Sequence, residues 1–382
     1  MSKVMDQATA KRLLSEGAFF IFLEVPEGTE FGIDMKSWNT GEKFRGVKMI
    51  PPGLHYIFYS SVSATDDIAP RIGFFHNFKR GEVLVKKWDK KTEQISAEPV
   101  KESEVVNLKE NLVALDGFLG PYPYDILDKW VSLCSDITDD LLKKLMPESG
   151  QVSAALQLQS CSDADRPKGI KIGASDANQP SCSSTKKHRL SESAENDLLP
   201  VLKPLKGTDL RVTPFPQRKY PEGSTPAEIT QHSLDATYIL ETLLAQYSNP
   251  TEIIGELEFC FICFLVGHSL EAFDQWKKFV TLLCSCDAAI TKHRKLFDMF
   301  VSLLEIHIKE IPEEFLADIV SNNNFVYMNL KKLFRTIHSS NVDGQLKTKV
   351  DRFKNALTST YMWDFDHLDS EEEDEAPVIV EM

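Results

Sequence analysis

Leu257-Glu258-Phe259-Cys260-Phe261-Ile262-Cys263-Phe264-Leu265-Val266 decides how this chain folds. One of its ten residues is charged and the rest are apolar, so neither a period of two nor one of 3.6 separates two faces. The run is too short for a membrane span, which needs about 20 apolar residues. A helix that is apolar all round must be wrapped by other helices. A central β-strand is the alternative, because aromatics and Ile suit strands. Pro250-Thr251-Glu252 before the run is a good helix start and Gly267-His268 after it a good stop, which favours the helix.

The flanking sequence supplies the wrappers. Thr225-Pro226-Ala227-Glu228 carries the N-cap, the Pro at N1 and the Glu at N3 of a capping box. Ile229, Ala236, Ile239, Leu240, Leu243 and Leu244 follow as one inward stripe. Ser269 caps a helix bearing Leu270, Phe273, Trp276, Val280 and Leu283, and Asp287 caps the next, with Ile290, Phe297, Phe300, Leu304 and Ile306. Pro312-Glu313-Glu314 starts a shorter helix, and the patterns Phe325 to Ile337 and Val342 to Leu357 complete the set. About seven helices joined by short connections predict an all-α domain of helical hairpins over 206–363.

Residues 1–150 read differently. A short helix over 6–16 precedes the strand Ala18-Phe19-Phe20-Ile21-Phe22-Leu23, which the turn Pro26-Glu27-Gly28 closes. Strands at 46–50, 54–59, 71–75 and 82–88, with turn signals at roughly ten-residue spacing, predict an antiparallel sheet or sandwich. From Glu102, the residues Val105, Leu108, Leu112, Leu115 and Leu119 predict one helical face, which Gly120-Pro121-Tyr122-Pro123-Tyr124 breaks. Ile126, Leu127 and Trp130 mark a second helix and Asp136 to Leu145 a third. The fold class is therefore α+β: a β-sandwich-like N-terminal domain with packed helices, then an all-α domain.

Between them, 151–205 reads as a flexible Ser-rich linker. No Phe, Tyr or Trp occurs between Trp130 and Phe215, and 151–193 contain nine Ser. Such a segment cannot bury enough surface to offset its ordering entropy. Lys186-Lys187-His188-Arg189 within it reads as a nuclear-import signal or as an ordinary solvated basic cluster. The end, 364–382, is an acidic tail. Nine of its residues are Asp or Glu and none is Lys or Arg, which leaves about −5 of the total −14 on the other 363 residues. With no basic field to meet a phosphate backbone, direct nucleic-acid binding is not expected. Behind the acidic spacer, Pro377-Val378-Ile379-Val380-Glu381 is a β-branched run with no partner of its own, suited to joining the edge of another protein's sheet. Ser370, followed by Glu371-Glu372-Glu373, has the arrangement that acidophilic kinases prefer.

No motif nominates a catalytic, cofactor or metal site. Cys260-x2-Cys263 and Cys284-x-Cys286 superficially resemble a zinc site, but ribbons place each pair on a tight turn, and here the first pair lies in the buried helix. Seven scattered Cys and a polar opening from Met1 to Arg12 point to free thiols in an intracellular, reducing compartment. His232, His293 and His307 stand singly in helices and read as packing or surface residues.

Several motifs resemble the Aar-two splicing factor family. They run in order as Gly28-Thr29-Glu30-Phe31-Gly32-Ile33-Asp34 with Trp38 four residues on, then Lys43-Phe44-Arg45-Gly46-Val47-Lys48-Met49-Ile50-Pro51-Pro52-Gly53, then Pro70-Arg71-Ile72-Gly73-Phe74-Phe75. Phe118-Leu119-Gly120-Pro121-Tyr122-Pro123-Tyr124, Thr225-Pro226-Ala227-Glu228-Ile229-Thr230, Gly255-Glu256-Leu257-Glu258-Phe259 and Glu271-Ala272-Phe273 continue the series. The resemblance spans nearly the whole chain except about 151–205 and the acidic spacer. It implies a non-enzymatic assembly factor, a chaperone of the U5 small nuclear ribonucleoprotein needed for spliceosome assembly and pre-mRNA splicing. The implied partner is pre-mRNA-processing factor 8, bound at its RNase H-like and Jab/MPN-like domains, with helicase loading delayed. Pro377, Val378, Ile379, Val380 and Glu381 would supply the tail strand between those domains. Arg45, Lys48 and Arg71 are candidate partner contacts, or else orient the loops of the first domain. The alternatives are a helical peptide-binding adaptor of membrane trafficking and an enzyme hidden in the β domain, the latter requiring a cleft of perturbed titratable groups.

Overall fold

The computed structural model describes residues 7–62, 68–155, 205–312 and 324–365, with side chains from Arg12 onward. The described residues up to 155 and from 210 to 365 group into one compact unit. Helix α1 (Gln7–Glu16) leads into β1 (Ala18–Leu23), followed by β2 (Glu30–Ile33), β3 (Lys36–Asn39), β4 (Gly46–Ile50), β5 (Gly53–Ser60), β6 (Ile72–Phe78), β7 (Val83–Asp89) and β8 (Gln94–Ile95). Next come α2 (Glu102–Glu110), α3 (Leu112–Leu115), β9 (Leu119–Pro121), α4 (Leu127–Leu133), α5 (Asp139–Leu145) and β10 (Val152–Ser153). The helical part contains α6 (Pro226–Leu234), α7 (Thr237–Leu244), α8 (Glu252–Leu265), α9 (Leu270–Leu283), α10 (Asp287–Lys292), α11 (Arg294–Glu310), α12 (Phe325–Ser339) and α13 (Gly344–Tyr361). The chain is α+β, as its patterning predicts.

The strands make two five-stranded sheets, ordered β8-β7-β1-β4-β9 and β10-β6-β5-β2-β3. The second is antiparallel throughout. The first is mixed, with β1 parallel to β7 and β4 parallel to β9, which differs from the antiparallel expectation. Side-chain alternation explains why β1 reads as a continuous apolar run. Phe20 and Phe22 face the inter-sheet core with Phe31, Ile57, Phe74 and Trp88, while Phe19 and Ile21 face Leu108, Leu112 and Leu115 of α2 and α3. The second sheet is likewise sandwiched: Ile57 and Tyr59 of β5 point to the first sheet, and Tyr56 and Phe58 point to the helices. The order of layers is thus α2–α3, first sheet, second sheet, helical part.

Helix α8 is the centre of the last layer. Twelve of its 14 residues are buried, which is what an all-round apolar helix requires. It packs against α9, α11 and α5, and Phe259 meets Phe75 of β6 with ring centroids 5.4 Å apart. Trp130, Leu133, Leu141 and Leu145 of α4 and α5 belong to the same core as α8. The helical core is therefore continuous with the first 150 residues rather than closed off at 206.

Four local readings differ from expectation for identifiable reasons. The helical face running from Val105 to Leu119 ends early: Leu119 leaves it to pair beside Gly46 in β9. The stripe from Ile229 to Leu244 breaks at Asp235, which accepts from Thr237 N (2.9 Å), Asp287 N (3.0 Å) and Ala288 N (3.1 Å). Asp235 thereby serves the start of α10, where Asp287 is the first helical residue and not the cap. The expected linker begins inside β10, since Val152 pairs with Gly73. The last aromatic residues also stay with the core, Trp363 at 6% and Phe365 at 1% exposure. The helix expected after Pro312, most of the linker with Lys186–Arg189, and the tail with Ser370 and Pro377–Glu381 lie outside the described residues.

Candidate partner interface

The sequence around α8 builds a rigid support first. Gly255 lets that helix approach α5's leading loop, because a Cβ there would come 2.3 Å from the Asp136 carbonyl oxygen. The two carboxylates beyond it are buried and act as anchors. Glu258 accepts from Asp136 N (2.8 Å) and Ser135 Oγ (3.2 Å), and burial pushes its pKa up to about 8. Glu256 accepts from Thr213 N (2.6 Å), Thr213 Oγ1 (2.8 Å) and the Tyr247 hydroxyl (2.7 Å). A buried carboxyl without such donors would cost several kcal/mol. These groups fix the helix to the segments on either side of 156–209, a role that sequence reading missed. Its signal was present: a lone Glu inside an all-apolar helix must have donors waiting.

Against that support the second sheet has an edge on which no further strand pairs among the described residues. Among the described residues β3 is its last strand, pairs only with β2, and exposes Ser37, Trp38 and Asn39. Its turn is held by Asp34, in the left-handed region at φ +54°. Asp34 Oδ1 accepts from Tyr56 N (2.9 Å), and Oδ2 meets His55 Nδ1 (2.7 Å) and the Tyr122 hydroxyl (2.6 Å). Beside β3 lies a cleft of about 1030 Å³ lined by Trp38, Asn39, Ser60, Ile68, Arg71 and His268, among others. Within its wall, Ser60 Oγ and Arg71 Nε are buried and have no hydrogen-bond partner among the described residues.

Arg71 ties the two layers that form this cleft. Its Nη1 donates to the Val266 carbonyl at the end of α8 (2.7 Å) and its Nη2 to Glu30 on β2 (2.7 Å). The guanidinium lies 4.2 Å from the centroid of the Phe58 ring. Burial lowers its pKa, and Glu30 opposes that shift. His268, on the rim with φ +58°, is pushed down by burial and by the charge of Arg71. The geometry gives Arg71 an orienting part, with its side chain 13% exposed.

Arg45 and Lys48 sit elsewhere, on the first sheet beside the 3-10 turn Asp116–Phe118. Arg45 Nη1 donates to the carbonyls of Phe44 (2.7 Å) and Glu42 (3.0 Å). Lys48 Nζ meets Asp116 Oδ1 (2.6 Å) and its carbonyl (2.9 Å). Phe118, 40% exposed, stands beside them, its carbonyl accepting from Arg45 N. The structure therefore does not bring Arg45 and Lys48 together with Arg71.

Among the described residues, none of the chemistry-bearing residue types forms a working constellation. Cys260 and Cys263 are buried in α8, and burial holds both thiols well above the usual range. Among the described residues no group of three or more His, Cys, Asp or Glu is placed to hold a metal ion. The Asp34–His55 pair resembles half of a catalytic triad, but His55 Nε2 faces the Pro51 carbonyl at 2.8 Å. Both ring nitrogens are engaged and the pair is buried, so no substrate reaches it. His307 is buried under Phe261, ring centroids 3.8 Å apart, accepts from Trp276 Nε1 (3.1 Å), and has its pKa pushed down to about 3 by burial. His293 is pushed down by burial too, and His232 lies against Tyr238. No helix among the described residues is long and apolar enough to cross a membrane.

Comparison with known proteins agrees with this layout. Residues 16–147 match the AAR2 N-terminal domain and residues 212–366 the AAR2 C-terminal repeat region. Protein AAR2 homolog of Homo sapiens is 42% identical over 382 residues, covering 99% of this chain and 97% of the relative. That of Caenorhabditis elegans is 34% identical, covering 91% and 95%. The A1 cistron-splicing factor AAR2 of Saccharomyces cerevisiae is 23% identical, covering 86% of each. Both family matches keep chain order and fall on the two-sheet part and the helical part in turn. This chain therefore belongs to the AAR2 family.

Proposed function

We propose that this chain is a non-enzymatic assembly factor acting in pre-mRNA splicing. In this reading it binds the RNase H-like and Jab/MPN-like domains of pre-mRNA-processing factor 8 within a precursor U5 particle and delays helicase loading. The observation that carries the reading is kinship along nearly the whole chain with proteins that include a named splicing factor. Its residues support binding rather than turnover. Among the described residues the buried Asp34–His55 pair is sealed by a carbonyl, whereas the β3 edge and the cleft beside it are uncovered.

The proposed mechanism combines a folded body with a tethered strand. Folded layers joined through Arg71 and α8 offer a stiff body that covers one partner domain. The acidic spacer carries Pro377–Glu381 to a second domain, where the strand pairs with an open sheet edge. Tethering raises the strand's effective concentration at that edge into the millimolar range by order of magnitude, so a weak contact suffices. Phosphate on Ser370 would add about 1.5 to 2 negative charges to the spacer and tune this docking. The particle is met in the cytoplasm and released in the nucleus.

Affinity purification of the full chain from cell extract, followed by mass spectrometry, tests the reading. Enrichment of pre-mRNA-processing factor 8 with U5 proteins is expected. Cargo tails or lipids in their place would overturn it in favour of a trafficking adaptor.

A further inference from the structure

The open edge of β3 has a second consequence for the chain itself. In the β2–β3 hairpin, Ile33 pairs with Lys36 across a two-residue turn, Phe31 with Trp38, and Thr40 N donates to Thr29 O at 2.9 Å. Antiparallel ladders alternate, so Lys36, Trp38 and Thr40 direct their backbone groups to β2. Ser37 and Asn39 direct theirs outward, where no strand follows among the described residues. Two N–H and two C=O groups at a spacing of two are a template for one added strand. Exposed edges are usually blunted by charge, Pro or a bulge. Here Lys36 is drawn toward Asp125 at 3.4 Å, and the next outward side chain is Trp38, 44% exposed.

We propose that, in the free chain, the segment Pro377–Glu381 docks on this edge and fills the adjoining cleft, so that the strand offered to a partner is first held by its own sheet. The inference rests on the strand-donor reading of the tail. Reach permits it. From Phe365, ring contacts lead through Tyr327 (5.1 Å), then from Phe325 of the same helix to Trp276 (6.3 Å), Phe273 (5.7 Å) and Phe264 (4.1 Å). Phe264 lies one helical turn before His268, which lines the cleft. With helical turns included, that path to the His268 rim of the cleft is about 30 Å, and the straight distance is less. Residues 366–376 extend to about 36 Å.

The composition of the segment fits as well. Alternation places Val378 and Val380 on one side of the added strand and Ile379 on the other. The pair would meet the cleft wall at Ile68, which is 69% exposed, and at Pro70, while Ile379 covers Trp38. Pairing would also end the edge-to-edge association that an open strand invites.

The test uses the chain cut after residue 366, the full chain, and a labelled peptide of residues 375–382 followed by fluorescence anisotropy with no partner protein present. The peptide should bind the cut chain with Kd about 100 µM, and about tenfold more weakly to the full chain, whose own tail competes at an effective concentration on the order of 1 mM. Peptides N-methylated at Ile379 or at Val380 differ in which side of the strand loses its N–H. One of the two should lose at least tenfold and the other little. Trp38→Ala should weaken the peptide several-fold. Equal binding to both chains, no saturable binding at 1 mM, or indifference to either N-methyl group would overturn the proposal. Such failure leaves the partner-docking reading standing, because that is read only with the partner's domains present.

Discussion

At the residue scale, the buried carboxyl of Glu258 makes a pH-dependent claim. Its folded pKa of about 8 lies above the ordinary 4.5, so the folded state holds a proton that the unfolded state releases. Its contribution is fully present below pH 4.5 and is lost as pH rises toward 8, with a slope of up to about 1.4 kcal/mol per pH unit. Glu258→Gln keeps the shape, with its oxygen accepting from Asp136 N and its amide nitrogen donating to Ser135 Oγ, and removes the titration. Urea melts at pH 5, 7 and 8.5 should show the variant gaining on the parent chain as pH rises, with no gain if Glu258 is ionised when folded. His307 slopes the other way: its pKa is lowered by burial, so its contribution falls as pH drops below 6.5. The variant must therefore be compared with the parent chain at each pH. Arg71→Ala should cost about 3 kcal/mol, since it strands Glu30 in a part-buried site. Arg71→Met combined with Glu30→Gln should recover much of that loss in the same melts. Sequence placed Arg71 in a motif but not on a job. Whether it faces a partner or a neighbouring layer depends on a carbonyl 195 residues away, which no local pattern encodes.

At the element scale, Gly255→Ala sets two effects against each other. Ala favours a helix by about 1 kcal/mol over Gly, but its Cβ would overlap the Asp136 carbonyl. Overpacking against backbone costs about 1–3 kcal/mol or more, so a net loss of about 2 kcal/mol is expected in denaturant melts. A neutral result would mean that the loop yields. Asp235→Ala should cost about 1–2 kcal/mol through the donors it leaves at the start of α10. Elements with local signals were legible: the Thr225 capping box, the Ser269 cap and the wrapped α8 stand where spacing puts them. Elements decided by distant partners were not. Leu119 has helical spacing, yet a strand beside β4 claims it. Asp235 breaks a good stripe because two separate helix starts need its oxygens.

For the whole molecule, composition and turn spacing were enough for an α+β chain, but not for its layering. Tyr56 and Phe58 alternate with Ile57 and Tyr59, and only the fold reveals that both faces of that strand are covered. The open β3 edge was equally hidden, since a four-residue strand with one aromatic carries almost no pattern. The most direct measurement of the account takes purified full chain and the chain cut after residue 366, each titrated with the RNase H-like domain of pre-mRNA-processing factor 8, alone and with the Jab/MPN-like domain. The full chain should form the binary and the ternary complex, and the cut chain should keep the first while losing at least tenfold in the second. Equal ternary assembly by both chains, or no binding of either domain at micromolar concentration, would contradict it.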